Sequence, residues 1–487
     1  MSNTLEKFKI NGYLPTIGIE CHVQLKTKSK LFAGVSNDAH LVKPNTLISH
    51  ICMGMPGALP VLNQRAVDLA IFAAFALNTE PAKFSKFDRK HYFYPDLPKG
   101  YQITQFDKPI ILGGNVQINA DGIDQTISIN RAHLEEDAGK STHPEGKDYS
   151  LVDLNRAGTP LLEIVSEPEI HSAKAAKAYA HELYLLMRYS GVSDADLYQG
   201  NMRFDVNVSV SKTNELGTRT ETKNLNSFKN VEKAVEFEIK RQIKLLEDGN
   251  QPIVQETRGW DDAKQKTFSQ RSKEESHDYR YFPEPDIPPI VLTNDYINKI
   301  KSNMSILPND IRGALNKYGL TKSTTDTIVE NMVAGKFIYD LTKNSDKSVV
   351  KRIANWLATD VQAFVITNQI NWEDLTLNKQ DFLSLSNMVA KNQISSTGAK
   401  SILSSLLNGK TDPLALAKEL DILQVSDESE LRKIVETVIK GNPQAVKDIK
   451  SGQDKVYGFL VGQVMKHSRG KANPGLAQEL IKNVING

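Results

Sequence analysis

The amino-acid sequence predicts an α+β fold, in which mostly antiparallel sheet with helices is followed by an all-α domain and a small all-α tail. Short alternating runs broken by Gly, Pro, Asn and Asp fill residues 16–295, and after residue 296 only helical apolar spacing recurs. The 487 residues amount to about three times the usual domain length of roughly 150, so several domains are expected. We place them at residues 1–295, 296–411 and 412–487.

The individual elements follow from the same periodicities. Runs that alternate with period two predict strands at 16–26, 126–133, 203–210 and 219–223. Helical spacing predicts helices at 65–78, 173–190, 229–247, 308–317, 326–342, 348–366, 379–391 and 397–407. Ser172 is the expected N-cap of the second of these helices, and Gly249 ends the third. Four prolines in the segment 278–289 predict a rigid loop there.

Composition excludes several classes of protein. The 60 Lys and Arg residues against 58 Asp and Glu give a net charge of +2, so any contact with nucleic acid must be local. Two cysteines, Cys21 and Cys52, exclude a disulfide framework or a four-thiolate metal site and indicate a reducing compartment. The longest strongly apolar stretch, 69–77, is far shorter than the roughly 18 residues of a membrane span. With no secretion signal at the N-terminus, we expect a cytoplasmic protein.

The strand at 16–26 carries the most informative polar side chains. Alternation places Glu20 and His22 on one face, about 7 Å apart along the strand. A carboxylate beside an imidazole is half of a metal or acid/base site, although a solvated polar face has the same pattern. The strand at 203–210 presents Asp205 in the same way. The strand at 219–223 presents Glu221, for which a charged edge strand is the alternative.

Three consecutive acids, at 135–137, follow His133 closely at the end of a predicted strand. Either Glu135 or Glu136 is therefore a further candidate. Carboxylates with one imidazole suit Mg²⁺ or Mn²⁺ better than zinc. The sequence contains no P-loop and no dinucleotide fingerprint, so bound ATP would need carboxylate-held magnesium together with Arg or Lys. It also lacks an amidase-type nucleophile arrangement, which assigns hydrolysis of any amide donor to another chain.

Long motifs resemble the B subunit of the bacterial tRNA-dependent amidotransferase GatCAB. They are TIGIECHVQL at 16–25, KFDRKHYFYPD at 86–96, LEEDAGKSTH at 134–143, DLNRAGTPLLEIVSEP at 153–168, KNLNSF at 223–228 and DYRYFPEPD at 278–286. The runs GFLVGQVMK at 458–466 and GKANP at 470–474 are similar to the family's YqeY-like tail. The resemblance therefore spans essentially the whole chain.

The resemblance implies a fold and a reaction. The fold would be a cradle of antiparallel sheet with helices, a helical domain and a helical tail that binds tRNA. The reaction would be that of a carbon–nitrogen ligase with glutamine as amide donor. With Mg²⁺ bound, ATP would phosphorylate the side-chain carboxylate of Glu-tRNA(Gln) or Asp-tRNA(Asn), and ammonia would then displace the phosphate. Ammonia comes through a channel from a glutaminase A subunit, and a small C subunit completes the heterotrimer.

The resemblance also implies roles for particular residues. The magnesium ligands map onto His22, Glu136, Asp205 and Glu221, and Glu20, His22 and Glu136 are the implied catalytic residues.

Two further groups are implied. Lys90, Tyr92 and Lys99 are candidates for the ammonia channel, with core packing as the alternative for the aromatic stretch around them. Lys466, Arg469 and Lys471 are candidates for tRNA binding. They lie in residues 431–487, which hold ten Lys or Arg against four Asp or Glu, although a solvated helix face would also be basic.

One departure from the family concerns zinc. Many relatives carry four thiolates where this chain has Ala33, Val35, Ser49 and Cys52, so no structural zinc is expected.

Two other functions compete with the amidotransferase B subunit: a stand-alone metal-dependent hydrolase or kinase, and a non-catalytic tRNA-binding protein. The first gives no reason for a basic helical tail, and the second gives no reason for acids clustered on strand faces.

Overall fold

The computed structural model describes residues 5–213, 215–249, 252–272, 278–424, 428–451, 453, 455–468 and 471–486. The chain forms two compact units, Met1–Leu307 and Pro308–Gly487. Strands occur, among the described residues, only in the first unit. This arrangement confirms the predicted α+β class. The predicted three-domain boundaries stay a prediction.

The first unit is built on a sheet of twelve strands, most of them antiparallel as predicted. The strands of the unit are β1 Leu14–Gln24, β2 Phe84–Ser85, β3 Asp88–His91, β4 Tyr101–Thr104, β5 Ile111–Leu112, β6 Asn115–Ala120, β7 Ile123–Glu136, β8 Lys140–Thr142, β9 Leu151–Asp153, β10 Pro160–Ser166, β11 Met202–Ser211, β12 Thr220–Leu225, β13 Glu256–Asp261, β14 Lys266–Ser272, β15 Phe282–Pro283 and β16 Ile290–Val291. The sheet order is β14-β13-β12-β11-β1-β10-β7-β4-β3-β15, and β5 and β6 also pair with β7. The pair β12–β13 is parallel.

Strand β1 lies near the centre of this sheet and separates two different faces. Its odd-numbered residues from Ile17 to Val23 are buried, and the even-numbered ones between them are only partly buried, as alternation predicts. The buried face packs against three helices, α1 Gln64–Ala76, α2 Ala173–Tyr189 and α3 Phe228–Asp248. Polar side chains are therefore left to the opposite face.

The helix ends follow the predicted capping signals. The Ser172 hydroxyl accepts a hydrogen bond from the backbone N–H of Ala175 at 3.1 Å, which satisfies a donor at the start of α2. Gly249 adopts the left-handed conformation with φ 63° at the end of α3, a region that glycine enters without steric cost. The proline-rich segment 278–289 contributes only the two-residue strand β15, which pairs with β3 at the end of the sheet order.

Helices make up the regular structure after Val291 in the described part of the chain. They are α4 Asn294–Lys301 in the first unit, and α5 Pro308–Lys317, α6 Lys322–Glu330, α7 Met332–Thr342, α8 Lys347–Trp356, α9 Gln362–Asn368, α10 Lys379–Ala390, α11 Ser396–Leu407, α12 Pro413–Glu419, α13 Glu428–Gly441, α14 Pro443–Lys450, α15 Val456–His467 and α16 Pro474–Asn486 in the second. None of the described helices is long and apolar enough to cross a membrane.

Two predicted helices differ from the observed ones. The single helix predicted at 326–342 is divided at Asn331, whose side chain accepts hydrogen bonds from Val333 N–H and Ala334 N–H and so caps α7. The helix predicted at 348–366 continues through a π-turn at Leu357–Val361, which joins α8 to α9. Local side-chain hydrogen bonds therefore set the boundary at Asn331, and the spacing of apolar residues cannot predict such a boundary.

The last four helices, α13 to α16, enclose a core of their own. Leu431, Val435, Leu460, Val464 and Ile481 are fully buried in it. The short helix α12 lies before this core and packs against α10 and α11, burying Leu416 and Ala417.

Candidate active site

The polar face of the sheet brings together side chains from five strands. Across the β1–β10 pair His22 lies opposite Glu163, and across the β10–β7 pair Glu163 lies opposite His133. On the other side of β1, Glu20 lies opposite Asp205 of β11. Residues opposite each other in an antiparallel pair point to the same face, so the register alone assembles these groups.

Two histidines and two glutamates form a compact cluster at the centre of this face, the histidine cluster of His22, His133, Glu135 and Glu163. The Nε2 atom of His22 lies 3.4 Å from Glu163 Oε2 and 3.8 Å from Glu135 Oε1. The Nε2 atom of His133 lies 3.6 Å from a carboxylate oxygen of each glutamate. Within the described residues, His22, Glu135 and Glu163 are the set whose ligand atoms all lie within 4.8 Å of one another.

The charges of this cluster perturb one another strongly. Burial raises the pKa of Glu163, but the nearby His133 and His22 outweigh it and hold the pKa well below its usual range. Burial lowers the pKa of His22, but the hydrogen bond to Glu163 and the charge of Glu135 raise it overall. Both shifts favour the charged forms, so Glu163 stays ionised at neutral pH.

A second acidic group lies beside the first and consists of Glu20, Asp205 and Glu221 around Lys223. The Nζ atom of Lys223 lies 3.1 Å from Glu221 Oε1 and 3.4 Å from Asp205 Oδ2. Burial lowers the pKa of Lys223, but the charges of Asp205 and Glu221 raise it overall. Thus Lys223 is a cation that the predicted set did not include, and it neutralises part of this acidic group.

Glu20 connects the two groups. Burial and then the charges of Glu163, Glu221 and Asp205 raise its pKa. Asn207 donates a hydrogen bond to Glu20 Oε1 at 3.1 Å, which fixes the carboxylate in this position. A buried carboxylate among like charges is unfavourable unless a cation offsets the repulsion.

The residues present fit a divalent cation at the histidine cluster. Two carboxylates and an imidazole converge there, which is a donor set suited to Mg²⁺ or Mn²⁺. Both histidines point their Nε2 atoms at the carboxylates. Their Nδ1 atoms are buried and have no hydrogen-bond partner in the described part of the chain.

Glu136 lies apart from this cluster, because consecutive strand residues point to opposite faces. Its carboxylate accepts a hydrogen bond from Lys99 Nζ and another from the Ile103 backbone N–H at 2.9 Å. Of the two acids left open from the sequence, Glu135 is the one beside His22. The four predicted ligands are thus divided: His22 is in the histidine cluster, Asp205 and Glu221 are with Lys223, and Glu136 is with Lys99. Their assignment as one ligand set stays a prediction.

The channel candidates lie next to these acids. Lys90 Nζ lies 4.7 Å from the Tyr279 ring centroid and 5.8 Å from that of Tyr92. Burial lowers the pKa of Lys90, but Glu135 and the neighbouring tyrosines raise it overall. Burial raises the pKa of Tyr92 well above its usual range, so its hydroxyl stays protonated. Lys99 and Glu136 form a buried ion pair.

The four positions considered for zinc in the sequence lie between β1 and α1, where Lys30 makes several contacts. Lys30 is buried, and its Nζ atom lies 2.7 Å from Leu47 O and 3.6 Å from Cys52 Sγ. The hydroxyl of Ser49 lies 3.4 Å from Cys52 Sγ, whereas Ala33 and Val35 offer no ligand atom. The absence of structural zinc stays a prediction.

The tail candidates are only partly described. Lys466 is exposed in the last turn of α15, and Lys471 pairs with Asp421 at 2.5 Å. Arg469 lies outside the described residues.

Glu163, His133 and Lys223 were absent from the predicted site. A single carboxylate flanked by apolar residues in β10, PLLEIVS, was an available signal for Glu163, because burying an unpaired charge is costly. For His133 the signal was weaker, since its importance depends on pairing with β10.

Comparisons with known proteins place the chain in a family. The GatB/GatE catalytic domain matches residues 15–298, and the GatB domain described as GatB_Yqey matches residues 336–485. The B subunit of the aspartyl/glutamyl-tRNA(Asn/Gln) amidotransferase of Caldicellulosiruptor saccharolyticus is 42% identical over 97% of this chain and 99% of its own. The corresponding protein of Brevibacillus brevis is 42% identical over 98% and 100%. That of Caldanaerobacter subterraneus is 44% identical over 97% and 99%.

These matches define the class of protein: the chain is an amidotransferase subunit. It belongs to the GatB family, the B subunits of tRNA-dependent amidotransferases.

Proposed function

We propose that this chain carries the phosphorylation and amidation centre of a tRNA-dependent amidotransferase. Its substrates would be Glu-tRNA(Gln), Asp-tRNA(Asn) or both, with ATP and Mg²⁺. The observation that carries this proposal is the partly buried polar face of the sheet, where the histidine cluster adjoins the acidic group of Glu20, Asp205 and Glu221. Carboxylate activation by ATP needs such a face, because no P-loop neutralises the phosphates.

The side chains of this face have separate tasks in the proposed reaction. His22, Glu135 and Glu163 would hold a divalent cation, and Asp205 and Glu221, which bind Lys223 in this structure, would be further ligands. A bound divalent cation neutralises the oxygens of a transferred phosphoryl group and orients it. Lys223 and Arg203 supply positive charge that binds triphosphate oxygens.

Ammonia would reach the activated carboxylate from the side of Lys99. The Glu136 carboxylate of the buried Lys99–Glu136 pair would accept the proton of an arriving ammonium ion before ammonia passes to the centre. Loss of that proton is required because only neutral ammonia is a nucleophile. The step forms the carbon–nitrogen bond of the amide and breaks the bond between carbon and the phosphate oxygen. Inorganic phosphate leaves and takes the proton that the nitrogen loses.

The partners follow from what this chain lacks. No amidase-type nucleophile occurs in its sequence, so a glutaminase A subunit and a small C subunit would complete the enzyme. Purified alone, the chain should release no ammonia from glutamine. Adding the partner chains should restore that reaction.

The decisive experiment measures tRNA-dependent ATP cleavage by the assembled complex. Replacing Asp205→Ala or Glu221→Ala should abolish it, while the exposed control Glu215→Ala should retain wild-type turnover. Binding of charged tRNA should persist in all three variants. Wild-type ATP turnover in Glu221→Ala would remove that residue from the centre. Assays with both charged tRNAs then decide the substrate and separate this function from that of a binder without ATPase activity.

A further inference from the structure

Five aromatic rings form a continuous series beside the histidine cluster, the aromatic ladder of Phe106, Tyr281, Tyr279, Tyr92 and Tyr94. The rings of Phe106 and Tyr281 are nearly parallel at 9°, with centroids 4.0 Å apart. The remaining neighbours in the ladder are 6.1 to 6.2 Å apart and meet edge to face. Three separate chain segments supply these rings, so the fold and not local sequence assembles them.

The ladder begins at the margin of the candidate active site. Lys90 lies between the ladder and the histidine cluster. Its Nζ atom is 4.7 Å from the Tyr279 ring centroid, and its charge interacts with Glu135. At the other end, Thr104 pairs with Glu135 across β4 and β7, and Phe106 follows two residues later. The parallel pair of Phe106 and Tyr281 is therefore near the acids without touching them.

The outer ring of this pair is open on one side and firmly positioned. Phe106 is 58% exposed although one of its faces lies against Tyr281, so its other face is open to solvent. The backbone N–H groups of Phe106 and Asp107 both donate to Asp88 Oδ2, at 3.0 and 3.1 Å. Lys86 then lies 3.0 Å from Asp107. The turn thus holds an exposed aromatic face in a fixed orientation.

A fixed aromatic face with one open side is suited to a nucleobase. Stacking on an aromatic ring requires only the π-face that every base has, and it is therefore tolerant of the base identity. Lys86 pairs with Asp88 and Asp107 at the turn, and the exposed Lys108 beside it adds positive charge for phosphates. An apolar partner protein would gain little from so narrow a platform between charged side chains.

We propose that Phe106 and Tyr281 stack the purine base of a substrate whose reacting group lies at the histidine cluster. This inference rests on the proposed function, in which both substrates carry such a base: the adenine of ATP and the 3′-terminal adenosine of the charged tRNA. In each, the reacting group must reach the acids while the base lies further out. Phe106 is then a positioning residue and takes no part in the chemistry.

The first test follows binding without requiring turnover. ATP and tRNA are each prepared with 2-aminopurine in place of the adenine in question, and each is titrated into the assembled complex. Stacking on Phe106 should quench the fluorescence of one of the two probes. Phe106→Leu keeps an apolar side chain but removes the π-face, so it should abolish the quenching. Because Phe106 is exposed, this variant should fold normally.

The second test separates the two sources of the base. Phe106→Leu should raise KM for ATP or KM for charged tRNA by roughly 5- to 100-fold, with a smaller change in kcat. A rise for ATP assigns the site to adenine, and a rise for tRNA assigns it to the terminal adenosine. The control Phe84→Leu changes another half-exposed phenylalanine, on β2, and should alter neither constant. Tyr281→Phe should retain binding because it keeps the ring.

Two outcomes are distinguishable as failures. Unquenched probes together with unchanged KM values in Phe106→Leu would overturn this inference. If wild-type complex quenched a probe but never cleaved ATP with charged tRNA, the proposed function would fail and the base-binding site would remain.

Discussion

His22 and Glu163 lie opposite each other on neighbouring antiparallel strands, with Nε2 and Oε2 3.4 Å apart. Their separation along the chain is 141 residues, obtained as 163 − 22, so only the sheet register brings them together. Glu135 reaches the same point from the next strand. The centre of the site is therefore a product of β1, β10 and β7 pairing.

This geometry predicts which glutamate binds the cation. In the assembled complex without ATP, Glu163→Gln should weaken Mn²⁺ binding by at least about tenfold, as loss of one well-placed metal-site group does. Glu136→Gln should change it much less, because that carboxylate bonds to Lys99 and to the Ile103 N–H. Calorimetry or the electron paramagnetic resonance signal of Mn²⁺ gives both affinities. The reverse order would restore Glu136 to the ligand set and remove Glu163.

The sequence predicted one side of this site well and the other poorly. Alternation along a single strand places Glu20 with His22, and the structure confirms that these residues share the face opposite Ile19 and Cys21. The choice between Glu135 and Glu136 was open because both belong to one acidic run whose register against β10 is not local information. Glu163 was missed for the same reason, since its partners are set by strand order. Lys223 was not singled out, because its strand could equally have been a charged edge strand, yet it lies between the carboxylates of Asp205 and Glu221.

The Lys99–Glu136 pair predicts a defect in ammonia transfer. Lys99→Met in the assembled complex should lower amide formation with glutamine as donor more than amide formation with added ammonium. The reason is that the variant removes the buried cation beside the proposed route and leaves Glu136 without its partner. Parallel assays with the two donors measure the ratio.

The control for that experiment is Lys83→Met, which changes an exposed lysine of the same unit. It should leave the ratio of the two activities unchanged. Equal losses with glutamine and with ammonium in Lys99→Met would show that the pair supports folding or carboxylate activation instead of ammonia transfer.

A buried ion-pair network on α3 predicts a pH-dependent contribution to stability. Glu238 is fully buried, accepts a hydrogen bond from Thr220 at 2.8 Å and pairs with Arg241 and Arg258 at 2.8 and 3.0 Å. Burial raises the pKa of Glu238, but its hydrogen bond to Arg241 and the charges of both arginines lower it overall. Glu238→Gln should cost about 3 kcal/mol at pH 7, because Arg241 and Arg258 lose their fully buried partner and keep only Glu256.

The sign of the pH effect follows from the lowered pKa. The contribution is fully present above the unfolded pKa of glutamate, about 4.3, and is lost as pH falls through the lower folded pKa. The difference between wild type and Glu238→Gln should therefore shrink below about pH 4. Denaturant unfolding can be followed by Trp260 of the first unit in a background with Trp356→Phe and Trp372→Phe.

Glu236→Gln is the matched control on the same helix. The side chain of Glu236 is 44% exposed and pairs with Lys240 one turn away, so its loss should cost no more than about 0.5 kcal/mol. A Glu238→Gln difference that is small, or that grows on acidification, would contradict the assigned role of the network.

The C-terminal helices predict a salt-dependent contribution to tRNA binding. The helices α13 to α16 have a core of their own, and the ten basic residues between 431 and 487 exceed the acidic ones by 10 − 4 = 6. Lys466 is exposed at the end of α15, where a cation can bind a phosphate of the tRNA backbone. Such interactions position a tRNA without reading its anticodon, which suits an enzyme that accepts two tRNAs.

The truncation that tests this removes residues 428–487 and keeps α12, because Leu416 and Ala417 are buried against the preceding helices. The truncated complex should bind charged tRNA with a higher KM and a flatter dependence on salt, while ATP cleavage remains measurable at high tRNA concentration. Lys466→Glu should reduce the salt slope by about one, and the exposed control Lys351→Glu should not. Removing a lysine that binds a phosphate must reduce the number of counterions released on binding. If the truncated complex bound tRNA with unchanged affinity and salt slope, the basic residues would therefore be only a solvated helix face.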